Sequence, residues 1–194
     1  NVTKMTYDSK GNILSLEGPD GVKNVYTYNK DNLLETIVEN SGAKKYYTYN
    51  DDGQLSSETI EGLGTKYYKY TDGRLTSTVD FMGNETSMTY DAYGNVSSIT
   101  DRDGNKTTYL YDELNRVISE TTEDGTVSYT YDSRGNQTSV TDIRGNVINS
   151  YYNSNNLLEK VVTAKKTTAY SYDNEGRLVS QTNPDSTVFK NEYD

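Results

Sequence analysis

The stretch YSYDNEGRLVS, residues 170–180, contains the pattern that decides the fold. Two tyrosines, Tyr170 and Tyr172, flank one small residue, so in an extended strand both rings lie on the same face. Residues 173–177 begin with Asp and include Gly, which is typical of a turn because Asp bonds to nearby backbone and Gly tolerates positive φ. A second segment of alternating residues follows. The stretch therefore predicts two short antiparallel strands joined by a turn.

This pattern recurs along the whole chain at intervals of 20 or 21 residues. We call the tyrosine that precedes each turn an anchor. The anchors are Tyr7, Tyr28, Tyr49, Tyr70, Tyr90, Tyr111, Tyr131, Tyr152, Tyr172 and Tyr193. The predicted turn glycines are Gly11, Gly53, Gly73, Gly94, Gly135 and Gly176, and Asn32, Asn115 and Asn156 take their place in three repeats. A period of this length indicates a repeat architecture, and we predict one array of about nine hairpins over residues 1–194.

A second turn is predicted about fourteen residues after most anchors, where Asp-Gly pairs such as residues 103–104 and 124–125 stand. Nine hairpins correspond to about 18 strands, and open twisted sheets rarely exceed about 10 strands without curling. We therefore predict an all-β fold in which tandem hairpin repeats form a single-layer antiparallel sheet, coiled into a spiral.

The composition agrees with a thin sheet and excludes several functions. Only 32% of the 194 residues are hydrophobic, and 20 of them are Tyr, so the side chains for a thick aliphatic core are missing. The absence of Cys and His excludes disulfides, zinc sites of the usual kind and imidazole-based catalysis. A net charge of −10 argues against nucleic acid as a binding partner, because the phosphate backbone is negative as well. No apolar run is long enough for membrane insertion. We expect no catalytic residue, no cofactor and no metal; the acidic segment 101–105 lacks the spacing of an EF-hand calcium loop.

The tyrosines divide into structural residues and weak candidates for ligand contact. We expect the anchor rings to pack between neighbouring repeats and to keep their hydroxyls in water. The tyrosines two residues before an anchor share this periodicity, so packing explains them better than ligand binding: Tyr26, Tyr47, Tyr68, Tyr109, Tyr129 and Tyr170. Four tyrosines are out of this register and are the weak candidates for ligand contact: Tyr46, Tyr67, Tyr93 and Tyr151.

The signature Tyr-Asp-x-x-Gly-Arg/Asn-Leu/Ile/Val, complete at residues 7–13, 90–96 and 172–178, resembles the YD repeats of the RHS family. Residues 131–136 share it as far as Asn136. These repeats occur in bacterial Rhs proteins, wall-associated protein A, the C components of insecticidal toxin complexes and teneurins. The resemblance covers the whole chain. It implies a hollow β-shell, in a large secreted or surface protein, that encloses a C-terminal toxin or another segment. The Asp-Pro-x-Gly-Leu-like motif of Rhs core segments is missing, because residues 183–186 read Asn-Pro-Asp-Ser.

These observations predict a structural function in a bacterial secreted or cell-surface protein. The expected partners are the rest of its own repeat shell and an enclosed C-terminal effector. The alternative is a carbohydrate-binding or adhesive module that uses exposed tyrosines to contact glycans. The sequence begins and ends within the pattern and shows no capping element, so we expect a segment of a longer array. Its terminal strands would then favour end-to-end self-association.

Overall fold

The computed structural model describes residues 2–193, which form 19 β-strands and no helix. The predicted array ends at residues 1 and 194, which lie outside the described residues. Within the described range there is no helix with the length and hydropathy that a membrane crossing requires. The strands are β1 (Lys4–Tyr7), β2 (Ile13–Glu17), β3 (Lys23–Tyr28), β4 (Leu34–Val38), β5 (Lys44–Tyr49), β6 (Leu55–Ile60), β7 (Gly64–Thr71), β8 (Arg74–Val79), β9 (Glu85–Tyr90), β10 (Val96–Thr100), β11 (Lys106–Tyr111), β12 (Val117–Thr122), β13 (Gly125–Tyr131), β14 (Gln137–Thr141), β15 (Val147–Tyr152), β16 (Leu158–Val162), β17 (Thr167–Tyr172), β18 (Leu178–Thr182) and β19 (Val188–Lys190).

The strands belong to two compact units. The first unit, residues 1–89 and 100–104, contains β1 to β8 and most of β9. The second unit, residues 90–99 and 105–194, contains most of β10 and all of β11 to β19. In each unit, strands that follow one another in the sequence pair antiparallel. The predicted all-β fold of tandem hairpins is confirmed.

Each unit is a single layer. In the first unit β6 contacts β5 and β7, and in the second unit β13 contacts β12 and β14, with no further strand packed against them. No apolar residue is buried in the described part of the chain; the buried residues there are Ser15, Ser57, Ser77 and Ser98. The surface exposed is 13169 Å² for 21.8 kDa, whereas a compact globular protein of this mass exposes about 9,300 Å². The low aliphatic content of the sequence therefore corresponds to a sheet without a core.

The two faces of the sheet carry different side chains. The anchor face carries the anchors and the tyrosines two residues before them. The hydroxyl face carries the residue between these two and its cross-strand partner, and both are mostly Ser or Thr. Facing hydroxyls bond directly across the strands in Thr6–Ser15 (2.7 Å), Thr48–Ser57 (2.6 Å) and Thr130–Ser139 (2.7 Å). Such cross-strand hydrogen bonds stabilise the pairing of strands on the hydroxyl face.

Candidate functional site

The anchor tyrosines connect each repeat to the one before it. The Tyr131 hydroxyl donates a hydrogen bond to the backbone carbonyl oxygen of Val117 at 2.8 Å, fourteen residues earlier in the chain. Six other anchors make the equivalent bond: Tyr28 to Ile13, Tyr49 to Leu34, Tyr111 to Val96, Tyr152 to Gln137, Tyr172 to Leu158 and Tyr193 to Leu178. Our expectation that these hydroxyls remain in water was therefore wrong, because the acceptor carbonyl lies at the start of the preceding return strand, within reach of the ring.

The residue after the turn Gly or Asn also reaches the next repeat. The guanidinium of Arg116 lies 4.6 Å from the centre of the Tyr131 ring and donates to the carbonyl oxygen of Asp132 at 3.0 Å. Where Asn takes this place, its amide bonds to the next turn, as between Asn95 Nδ2 and Asn115 Oδ1 at 2.8 Å. The Arg/Asn choice in the repeat signature thus corresponds to two ways of joining adjacent turns.

An aspartate closes most of the turns. Asp132 Oδ1 accepts hydrogen bonds from the backbone N–H groups of Arg134 and Asn136, both at 2.9 Å, and Oδ2 accepts one from the Asn136 amide. The bond from the Asn136 side chain is the main cause that lowers the pKa of Asp132. Five further aspartates have a lowered pKa, chiefly because of the side chain four residues on: Asp8, Asp80, Asp112, Asp142 and Asp173. These carboxylates are occupied within their own turns, which explains their recurrence without a ligand.

The turns show why Asn can replace Gly. Asn32, Asn115 and Asn156 have φ values of 67°, 58° and 62°, in the left-handed region that Asn tolerates better than most residues. The early Gly73 belongs to a shorter turn, in which Asp72 and Gly73 both have positive φ and Thr71 pairs directly with Arg74. Positive φ at two central residues is the hairpin turn of type I′.

The four tyrosines singled out for ligand contact are exposed, and two of them lie in each unit. Tyr46 and Tyr67 lie on the hydroxyl face of the first unit, with 38% and 50% of their surface exposed. Tyr93 is 85% exposed in a turn of the second unit. Tyr151 is 46% exposed on the hydroxyl face of the second unit, where the Lys160 ammonium lies 4.2 Å from its ring centre.

A groove of about 540 Å³ lies beside Tyr93, between two successive turns of the second unit. Leu110, Glu113 and Asn115 also line it. Leu110 is 63% exposed and occupies a position that is Thr or Ser in most repeats, a departure from the pattern by which the sequence could have indicated the groove. An equivalent groove of about 350 Å³, lined by Asn155 and Ser171, shows the same geometry with polar walls.

No cluster of three or more metal-ligating side chains occurs among the described residues. The pKa of the turn aspartates is lowered, whereas a carboxylic acid that acts as a general acid near neutral pH needs a raised pKa. The contacts at the repeat interfaces therefore serve to hold hairpins together.

Comparisons with known proteins agree with this geometry. The RHS repeat family profile matches residues 70–106, 90–127, 111–147 and 152–188, which make up more than half of the chain. The search of curated proteins found no match to this chain. Among solved structures, it is similar to "TcdB2-TccC3 without hypervariable C-terminal region", with a TM-score of 0.74 and 16% identity over 93% of this chain and 11% of that chain.

A second similar structure is the Tc holotoxin pore of Photorhabdus luminescens with the TccC3-D651A mutation, at a TM-score of 0.60 and 19% identity. That match covers 93% of this chain and 13% of the other. The chain thus spans roughly an eighth of these structures, and at such identities the likeness concerns the fold. Since the family profile matches most of the repeats, the chain belongs to the RHS-repeat family.

Proposed function

We propose that the chain is a wall segment of a bacterial RHS shell that encloses an effector. The observation that carries the proposal is the absence of any buried apolar residue in the described part, together with exposed residues on both faces of a single layer. A wall that consists of a single sheet needs few residues to separate two aqueous compartments.

The repeat contacts support this role, because each hairpin is joined to the previous one by a tyrosine–carbonyl bond and by turn-to-turn contacts. Such an array is extended by adding repeats, each of which contacts only its neighbours. The similar TcdB2–TccC3 structures carry the fold within far longer chains, as a shell requires. The proposed partners are further repeats of the same shell and an effector within it, in a secreted or cell-surface protein.

The test is limited proteolysis of the complete gene product in which these repeats occur. Peptides that lie C-terminal to the repeats are followed by mass spectrometry, with heat-unfolded protein as the reference. We expect these peptides to be protected in the native protein and to become cleavable in Tyr131→Ala, which opens one repeat interface. Equal cleavage of native and unfolded protein in this region would refute enclosure.

A second candidate function, carbohydrate binding, is favoured by one observation: Tyr93 projects into solvent beside the groove lined by Leu110. An exposed aromatic ring offers a flat apolar surface to a sugar ring. A glycan array with the chain and its Tyr93→Ala variant tests this function. A signal that depends on both the sugar and Tyr93 is expected if it holds, and identical signals from the two proteins would exclude it.

A further inference from the structure

The charges of the chain are separated by position. Most of the 29 carboxylates lie in turns, whereas Lys and Arg outnumber Asp and Glu within the strands. The strand lysines of the first unit lie mainly on the hydroxyl face, as the pairing of Lys4 and Lys23 with Glu17 and of Lys69 with Ser77 shows. A molecule of net charge −10 thus carries a locally basic face.

Five residues of this face form what we call the lysine–tyrosine strip: Lys23, Lys44, Tyr46, Tyr67 and Lys69. The register of β3 to β8 places them on one side of the sheet, since Thr36 and Thr59 face Tyr46, and Ser57 and Val79 face Tyr67.

The carboxylates on this side are largely occupied. Glu17 pairs with Lys4 at 3.2 Å, and Glu85 bonds to Ser77 and lies 3.7 Å from Lys69. Neither Lys23 nor Lys44 has an ion-pair partner among residues 2–193. The free positive charge of the strip is therefore available to a partner.

The strip also offers apolar surface at regular intervals. Val25, Tyr46 and Tyr67 each lie three residues before the anchor of their strand, β3, β5 and β7, and they are 39%, 38% and 50% exposed. The strand pairing places Tyr46 level with Thr27 and Tyr67 level with Thr48, so successive members of this set are displaced by two residues along the strands. Two strand widths of about 9.6 Å, together with a displacement of about 6.6 Å along the strands, separate neighbouring members of this set by about 12 Å. A peptide segment that runs diagonally across these strands can contact all three residues.

We propose that the lysine–tyrosine strip binds an acidic polypeptide segment that contains apolar or aromatic side chains. Its carboxylates pair with Lys23 and Lys44, and its apolar side chains contact Val25, Tyr46 and Tyr67. Charge complementarity favours this partner, because a basic segment would be drawn to the acidic turns instead. The proposal does not depend on enclosure of an effector.

The chain provides matched controls, because β5 carries two consecutive lysines and two consecutive tyrosines with opposite orientation. Lys44 and Tyr46 lie on the hydroxyl face, whereas Lys45 and Tyr47 lie on the anchor face, where Lys45 pairs with Glu39 at 2.7 Å. In the same way Lys66, whose ammonium lies 5.0 Å from the Tyr68 ring centre, is on the anchor face. Replacing Lys45 and Lys66 changes the net charge by the same amount as replacing Lys23 and Lys44.

The experiment measures binding of a fluorescent peptide made of four Glu-Glu-Phe repeats to the full chain by fluorescence anisotropy at low salt. An exposed ion pair contributes at most a few-fold in affinity, so Lys23→Ser with Lys44→Ser should weaken binding about tenfold. Tyr46→Ser with Tyr67→Ser should also weaken it, whereas Lys45→Ser with Lys66→Ser should leave it unchanged. Urea unfolding of each variant verifies that it folds; if a double variant does not, Lys44→Gln is compared with Lys45→Gln.

Several results would overturn the proposal. One is the absence of peptide binding by the wild-type chain, and another is an equal loss in the strip variants and the anchor-face variants. Equal binding of a Lys-Lys-Phe peptide would show that charge complementarity does not operate. Displacement of the peptide by hyaluronan at lower concentration than by unlabelled peptide would assign the strip to an anionic polysaccharide instead.

Discussion

Replacing Tyr131 tests whether the anchors hold the sheet together. The Tyr131 ring is half-buried, its hydroxyl donates to the Val117 carbonyl at 2.8 Å, and the Arg116 guanidinium lies 4.6 Å from its centre. Tyr131→Phe removes the hydrogen bond alone, whereas Tyr131→Ala removes the bond, the ring contacts and the cation–π contact. The two variants thus separate the hydroxyl from the ring.

The structure sets the size of each effect. Loss of one neutral hydrogen bond lowers the free energy of unfolding by about 1 kcal/mol, which is the value expected for Tyr131→Phe. Truncating a fully buried aromatic residue to Ala costs about 3–5 kcal/mol, and because Tyr131 is half-buried we expect about 3 kcal/mol for Tyr131→Ala. Tyr93→Ala is the control. The Tyr93 ring is 85% exposed, so this change should cost no more than about 0.5 kcal/mol.

Urea unfolding followed by far-ultraviolet circular dichroism measures all three variants under the same conditions. Repeat arrays can unfold in steps, so amide exchange of β12 to β14 is measured as well to locate the loss of stability. Equal midpoints for Tyr131→Ala and Tyr93→Ala would refute the view that anchors join the repeats.

Three further outcomes follow from the turns and the strand edges. The aspartates that close the turns have a lowered pKa in the folded chain, so their contribution to stability is present at neutral pH and is lost as the pH falls below about 4; a urea midpoint that is constant from pH 7 to pH 3 would contradict this. Asn115→Ala should lower the free energy of unfolding by about 1 kcal/mol more than Asn115→Gly, because Asn115 has a φ of 58°; thermal unfolding of both variants checks the difference. Among the described residues, β1 and β19 each pair on one side only, so sedimentation should show end-to-end association that increases with salt, and a monomer at every salt concentration would contradict it.

The period of the sequence was sufficient to predict the hairpins, because Tyr-x-Tyr alternation and the Asp and Gly residues of the turns are local signals. It was not sufficient to predict the bond from Tyr131 to Val117. That bond depends on the twist between adjacent repeats and on the direction of the ring, neither of which has a local signal. The cross-turn contact of Arg116 with Tyr131 was missed for the same reason.

Two of the glycines, Gly64 and Gly125, are required at their positions for two separate reasons. Gly64 and Gly125 are the first residues of β7 and β13, and both have positive φ, of 132° and 140°. In addition, a Cβ atom at Gly64 would lie 3.1 Å from the carbonyl oxygen of Phe81, and one at Gly125 would lie 3.1 Å from the Cβ of Ile143. This close approach of neighbouring turns is visible only in three dimensions. Alternation along each strand was enough to assign the candidate tyrosines in strands to one face of the sheet. The lack of an ion-pair partner for the lysines beside them could be found only from the pairing of the strands.

Thiol labelling of single cysteines tests the single-layer sheet most directly, since the natural chain contains no cysteine. Cysteine is placed in turn at two consecutive strand residues that lie on opposite faces, Thr107 and Thr108 in β11, and at a second such pair, Thr167 and Thr168 in β17. A sheet with water on both sides predicts that both members of each pair react at comparable rates in the native protein. If one member of each pair reacts slower than its neighbour by a factor of about 10³ or more, the protection typical of a buried core, a second layer covers that face and the account is wrong.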